Sequence, residues 1–103
     1  MRDQVLTNLA DVYAKTGRAE QAGALLDRAR ELLEKQYPLA EMPDEAWRYA
    51  LQDAVRATAS AAGKRYPEAR KLLAAALPLV RTRFGEQRYY TRDLEARLAS
   101  LPR

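Results

Sequence analysis

Residues 6–29 read LTNLADVYAKTGRAEQAGALLDRA, in which one large ring, Tyr13, stands among small residues at regular intervals. At ~100° per residue, Leu6, Leu9, Ala10 and Tyr13 fall on one narrow helical stripe. Gly17 interrupts the pattern, and a second stripe follows with Ala22, Leu26, Ala29 and Leu33. Two helices joined by a tight turn are predicted. Ala10, Ala22 and Ala29 then let those helices approach to the ~8 Å end of the packing range. The ring of Tyr13 is expected to fill the space between them and the next pair.

The second helix ends at Tyr37-Pro38, because proline disfavours helix in the residue before it and lacks its own backbone donor. After the loop YPLAEMP, Asp44 is placed to cap a third helix with the stripe Trp47, Leu51, Ala54, Val55, Thr58 and Ala62. Gly63 stops that helix, where glycine tolerates a positive φ. A fourth starts at Pro67 and runs Ala69, Leu73, Ala76, Val80 and Phe84 down one face, with a kink expected near residues 74–77 from Pro78. Gly85 closes it, and Tyr90, Leu94, Leu98 and Leu101 make a last stripe. No run alternates apolar and polar residues over strand length, so the fold class is all-α.

The chain also repeats. GRAEQAGALLDRA at Gly17 and KRYPEARKLLAAA at Lys64 share Ala22/Ala69, Leu25/Leu72, Leu26/Leu73 and Ala29/Ala76, each pair 47 residues apart. Fixed-period similarity signals stacked units. Leu6-x2-Leu9-Ala10-x2-Tyr13, then Ala22-x3-Leu26 and Ala29, resembles the tetratricopeptide signature W-x2-L-G-x2-Y…A-x3-F. Leu stands for Trp and Phe, and Ala for Gly; in the second unit Leu51, Ala54, Val55 and Thr58 hold the first-helix positions without the aromatic. The long period is similar to that of the kinesin-light-chain variety. The ending FGEQRYYTRDLEARLASLP resembles the final helix of such arrays. The resemblance implies an α-solenoid fragment: one hairpin over about 3–37, a second over about 44–84, and a C-terminal capping helix over about 87–101, as a single domain at the C-terminal part of an array.

Composition limits the chemistry. Cysteine and histidine are both absent, which removes thiolate nucleophiles, sulfur-ligated metals and the side chain that most often serves as general base or metal ligand. No Asp-x-Asp-x-Asp-Gly loop is present, and Gly63-Lys64 lacks the other residues of a phosphate loop. Most carboxylates have a local partner, Asp11 with Lys15, Glu31 with Lys35, Asp93 with Arg97 and Glu68 with Lys71, at spacings that support helix surfaces. The expectation is no enzyme: no catalytic residue, no metal and no cofactor. Charges are too evenly interspersed for a membrane span, and no secretory leader is evident, so a cytoplasmic protein is expected.

Charge is uneven along the chain. Residues 1–53 carry 7 basic and 10 acidic side chains, and residues 54–103 carry 11 and 4. RYYTR at 88–92 interleaves basic and aromatic groups as nucleic-acid binders do. Tyr90 lies on the core stripe, however, and adjacent helical residues point ~100° apart. A regulatory nucleic-acid-binding module using the basic half is therefore the alternative, not the leading reading.

The leading reading is a protein-binding scaffold. In stacked hairpins the first helix of each pair lines the concave side. The resemblance thus implies a peptide groove from Gln4, Thr7 and Asp11 on the first helix, Tyr49, Gln52 and Arg56 on the third, and Tyr89 and Arg92 on the last. Tyr49 and Tyr89 fall at equivalent places and are the expected anchors. Family members that grip chaperone tails use basic and Asn side chains where Thr7 and Asp11 stand, so that ligand class is not implied. A second apolar edge, Val5, Leu9 and Val12, would normally press on a preceding hairpin; either the chain is the end of a longer array or two copies join through this edge, and a homo-oligomer is the expectation for the isolated chain.

Overall fold

The structure is a computed structural model that describes residues 2–102. It is all-helical, with helices α1 (Asp3–Lys15), α2 (Ala19–Gln36), α3 (Ala46–Ala62), α4 (Tyr66–Phe84) and α5 (Tyr89–Ala99), and a short 3-10 turn, Pro43–Glu45, before α3. No helix is long and apolar enough to cross a membrane among the described residues. Asp44 belongs to the 3-10 turn and caps nothing; Pro43 starts that turn, and Glu45 takes the N-cap position of α3. α4 runs on through Pro78 as one helix. The carbonyl left without its helical donor there belongs to Ala74, an exposed residue that water can serve.

Alanine does what the spacing predicts. Ala10, Ala14, Ala22 and Leu26 form the core of the first hairpin, and Val55 and Ala59 of α3 enter it directly. A second cluster joins Ala50, Ala54 and Ala57 of α3 to Ala69, Leu73, Ala76 and Val80 of α4 and Leu94 of α5. Helices that meet through methyl groups pack close, and each hairpin closes with few large side chains. Tyr13 is half-buried and packs against the first cluster, with the Arg18 guanidinium 5.5 Å from its ring centre. Along α5 it is Thr91, not Tyr90, that is buried beside Leu94.

The repeat extends into the turns, with one correction. Gly17 has φ +82°, but Gly63 has φ −89°; the left-handed residue of the second turn is Lys64, φ +63°. Lys64 lies 47 residues after Gly17, so the backbone repeats where the residue type does not.

α3 is the central element. It packs on α1, α2, α4 and α5, whereas no Cα atom of α1 comes within 8 Å of one on α5. A furrow is left between α1 and α5 with α3 as its floor.

Candidate functional site

The furrow holds a groove of about 380 Å³. α1 contributes Gln4, Thr7, Asn8 and Asp11, and α5 contributes Tyr89, Tyr90, Asp93 and Arg97. In each helix these residues recur at three- and four-residue steps, the spacing that keeps side chains on one face. The floor is Trp47, Leu51, Gln52 and Val55 of α3, and Phe84 at the end of α4 closes one end.

That end is a connected set of rings. Trp47 meets Phe84 edge-on at 5.3 Å, Phe84 meets Tyr90 at 4.8 Å, and Tyr90 meets Tyr89 at 5.6 Å. Arg48 lies 4.4 Å from the Trp47 ring centre and 4.0 Å from that of Tyr37, and Glu45 holds it at 2.6 Å. Arg83 approaches Trp47 at 5.1 Å. Two guanidinium groups, those of Arg48 and Arg83, thus lie within cation–π distance of the indole. Tyr89, 73% exposed, is the outermost ring.

The other end is polar and built around Arg97. Its Nη1 donates to Asp11 Oδ1 at 2.8 Å and to Thr58 Oγ1 at 2.7 Å, Nη2 donates to Asp11 Oδ2 at 3.0 Å, and Nε donates to Asp93 Oδ2 at 2.8 Å. The Thr58 hydroxyl donates to the Ala54 carbonyl at 3.2 Å, leaving its oxygen free to accept. Burial alone would raise the Asp11 carboxyl. The bonds from Arg97 and Lys15 outweigh that and hold it below the usual carboxylate value.

Five of the eight expected groove residues line this groove: Gln4, Thr7, Asp11, Gln52 and Tyr89. Thr7 is nonetheless buried, its hydroxyl donating to the Asp3 carbonyl at 2.8 Å. Two of the three expected α3 residues, Tyr49 and Arg56, lie outside the groove and meet α2 and its end, whereas Gln52 lines the groove and also bonds α2. Tyr49 is only 7% exposed and donates its hydroxyl to the Tyr37 carbonyl at 2.6 Å. Burial, with the nearby Glu34 charge, raises its pKa above that of a free phenol. Arg56 pairs with Asp27 at 2.8 Å. Gln52 accepts from Arg30 Nε at 2.8 Å, and its buried Nε2 has no partner. Arg92 turns to Gln87, 2.9 Å away, and does not line the groove.

Trp47, Leu51, Phe84 and Tyr90 carry the apolar wall, yet the periodicity assigns all four to the core. Periodicity finds an apolar face but does not distinguish a face covered by another helix from one left at an open furrow. Val5, Leu9 and Val12 are exposed on α1, at 52%, 39% and 54%. Among the described residues no group of three or more His, Cys, Asp or Glu side chains is arranged to hold a metal ion. No protein-family model, no curated protein and no solved structure matches the chain.

Proposed function

We propose that this chain is a non-catalytic, cytoplasmic protein-interaction module: a short stack of tetratricopeptide-like hairpins that holds a protein or peptide segment between α1, α3 and α5. The observation that carries the reading is the groove itself, with a preformed ring wall at one end and a fully bonded polar cluster at the other. A pocket of that kind supplies apolar contact area without an ordering cost at the moment of binding. Its acids support the non-catalytic part. Asp11 and Asp93 both bond Arg97, whereas paired-carboxylate chemistry needs one acid protonated and the other free.

The lining sets Asp3, Asp11 and Asp93 against Arg48 and Arg97, which favours a polypeptide over a polyanion. A peptide-display selection tests this directly, since Trp47 is the sole tryptophan and reports on the groove. Selected peptides should shift Trp47 emission and bind at least about tenfold more weakly to Tyr89→Ala/Tyr90→Ala, a loss of about 1.4 kcal/mol. Equal binding to that double variant with Trp47 emission unmoved would remove the groove reading. Binding to unrelated duplexes that weakens steeply with salt would favour the nucleic-acid alternative.

The exposed stripe of Val5, Leu9 and Val12 favours one further element of the proposal, self-association of two copies through α1. Light scattering should then show a dimer at tens of micromolar that Val5→Lys/Val12→Lys converts to a monomer. A monomer in both cases counts against it.

A further inference from the structure

Behind the groove lies a second cavity of about 190 Å³, lined by Lys15, Thr58, Ala61, Leu73, Arg97 and Leu101 among others. Arg97 lines both spaces. Both also lie over α3, the first over residues from Trp47 to Val55 and the second over residues from Ala57 to Ala61. At ~1.5 Å per residue the two together cover roughly 21 Å of that helix. The two cavities share Arg97 in their linings, and its guanidinium is bonded to α1 through Asp11 and to the floor through Thr58.

We propose that the Asp11–Arg97 pair is a strap that sets the spacing of α1 and α5 and divides the furrow into two compartments. Each of α1 and α5 packs on the body along one face, but neither packs on the other. Leu6, Ala10 and Ala14 are buried on α1, and Leu94 with Leu98 joins the α3–α4 cluster. Between the two helices there is no close backbone approach, so a two-oxygen bond between side chains 86 residues apart carries the connection. With the strap closed, an extended segment along the groove has room over residues 47–55, roughly 12 Å of α3, or about four residues. With the strap open, the full furrow takes about six. The strap acts on the furrow itself and holds whether or not a peptide occupies the groove.

The chain has no cysteine, so spin labels can be placed at Thr16→Cys and Ala99→Cys, exposed positions near the ends of α1 and α5. Pulsed dipolar distance measurements on the otherwise wild-type chain should give one narrow distribution. Asp11→Asn, which keeps the shape of the side chain, and Arg97→Met should each broaden it and shift it to longer distance. Asp93→Asn removes only a bond within α5 and should leave it in place. Helical circular dichroism identifies the variants that fold; should Arg97→Met not fold, Asp11→Asn carries the test. A folded Asp11→Asn with the wild-type distribution, or an Asp93→Asn that moves as far as Asp11→Asn, overturns the strap. Peptide binding plays no part in these measurements, so failure of the binding proposal and failure of the strap are separately visible.

Discussion

The two interhelical turns make a quantitative prediction, because they share a backbone shape but not a residue type. Lys64 adopts φ +63° where its counterpart Gly17 adopts φ +82°. A left-handed conformation costs a residue with a Cβ about 1–2 kcal/mol, and glycine gives back about 0.5–1 through its freer unfolded chain. Lys64→Gly should therefore stabilise the chain by roughly 0.5–1 kcal/mol, a rise in Tm of about 2–6 °C for a domain of this size. Gly17→Lys should lower Tm by a similar amount. A Cβ added at Gly17 meets nothing within 4 Å, so crowding cannot be the cause. Gly63 supplies the control. At φ −89° its added Cβ would touch the Ser60 carbonyl oxygen at an ordinary 3.6 Å, so Gly63→Ala should be mildly stabilising, by about 0.4–1 kcal/mol. The three variants are measured by thermal melts followed by circular dichroism. An unchanged Tm for Gly17→Lys, or a decrease for Lys64→Gly, would falsify the equivalence of the turns and with it the 47-residue repeat.

Three other outcomes are expected. Asp11 has a folded pKa below its unfolded value of about 3.9, so its stabilisation is fully present above the unfolded pKa and is lost as pH falls through the folded one. Asp11→Asn should thus cost about 1–3 kcal/mol at neutral pH and almost nothing in strong acid, and a cost independent of pH in urea melts would contradict this. Ala22 is fully buried between α1 and α2, so Ala22→Phe should overpack the hairpin and lower stability by about 1–3 kcal/mol, visible as a reduced melting temperature. α5 begins at Arg88, an extended residue with no side-chain cap. Arg88→Ser should supply an acceptor for a first-turn N–H and raise stability by about 0.5–2 kcal/mol; an equal or lower denaturation midpoint would show that the extended backbone there does not place a cap.

The five helices and the small-residue hairpin contacts were legible because both are local. Periods of three and four residues mark a helix face, and Gly17, Pro38, Gly63 and Gly85 lie at helix ends. What the sequence does not carry is the angular phase of a central helix with neighbours on four sides. Four sides of α3 meet four different helices, so its residues divide among them with no single apolar stripe. The tetratricopeptide resemblance therefore implies Tyr49 and Arg56 at the groove although they face α2 and its end, and periodicity puts Trp47 in the core although it lines the groove. Ion pairs show the same limit. Asp11 with Lys15 and Asp93 with Arg97 do form, but Glu31 and Glu68 choose Arg28 and Arg65, three residues earlier. No spacing rule points from Asp11 to Arg97.

Arginine accounts for most of what the charge asymmetry left open. An alanine-rich core brings helices close but gives their edges little to grip, and arginines stitch those edges together. Arg30 ties α2 to α3 through Gln52 and Asp53, and Arg56 does so again through Asp27. Arg81 reaches Glu86 at 2.6 Å and Glu95 on α5 at 3.6 Å, Arg70 donates to the Pro102 carbonyl, and Arg97 crosses the furrow. A guanidinium committed to a carboxylate in the fold presents little net charge to a passing phosphate, and freeing it would cost the bonds it makes. Arg56 and Arg97 are offset by Asp27 and Asp11 from the first half, so the positive field of the second half is smaller by those two charges than its count implies. This is the physical ground for expecting capture of a polypeptide to persist in salt, where duplex binding would be screened away.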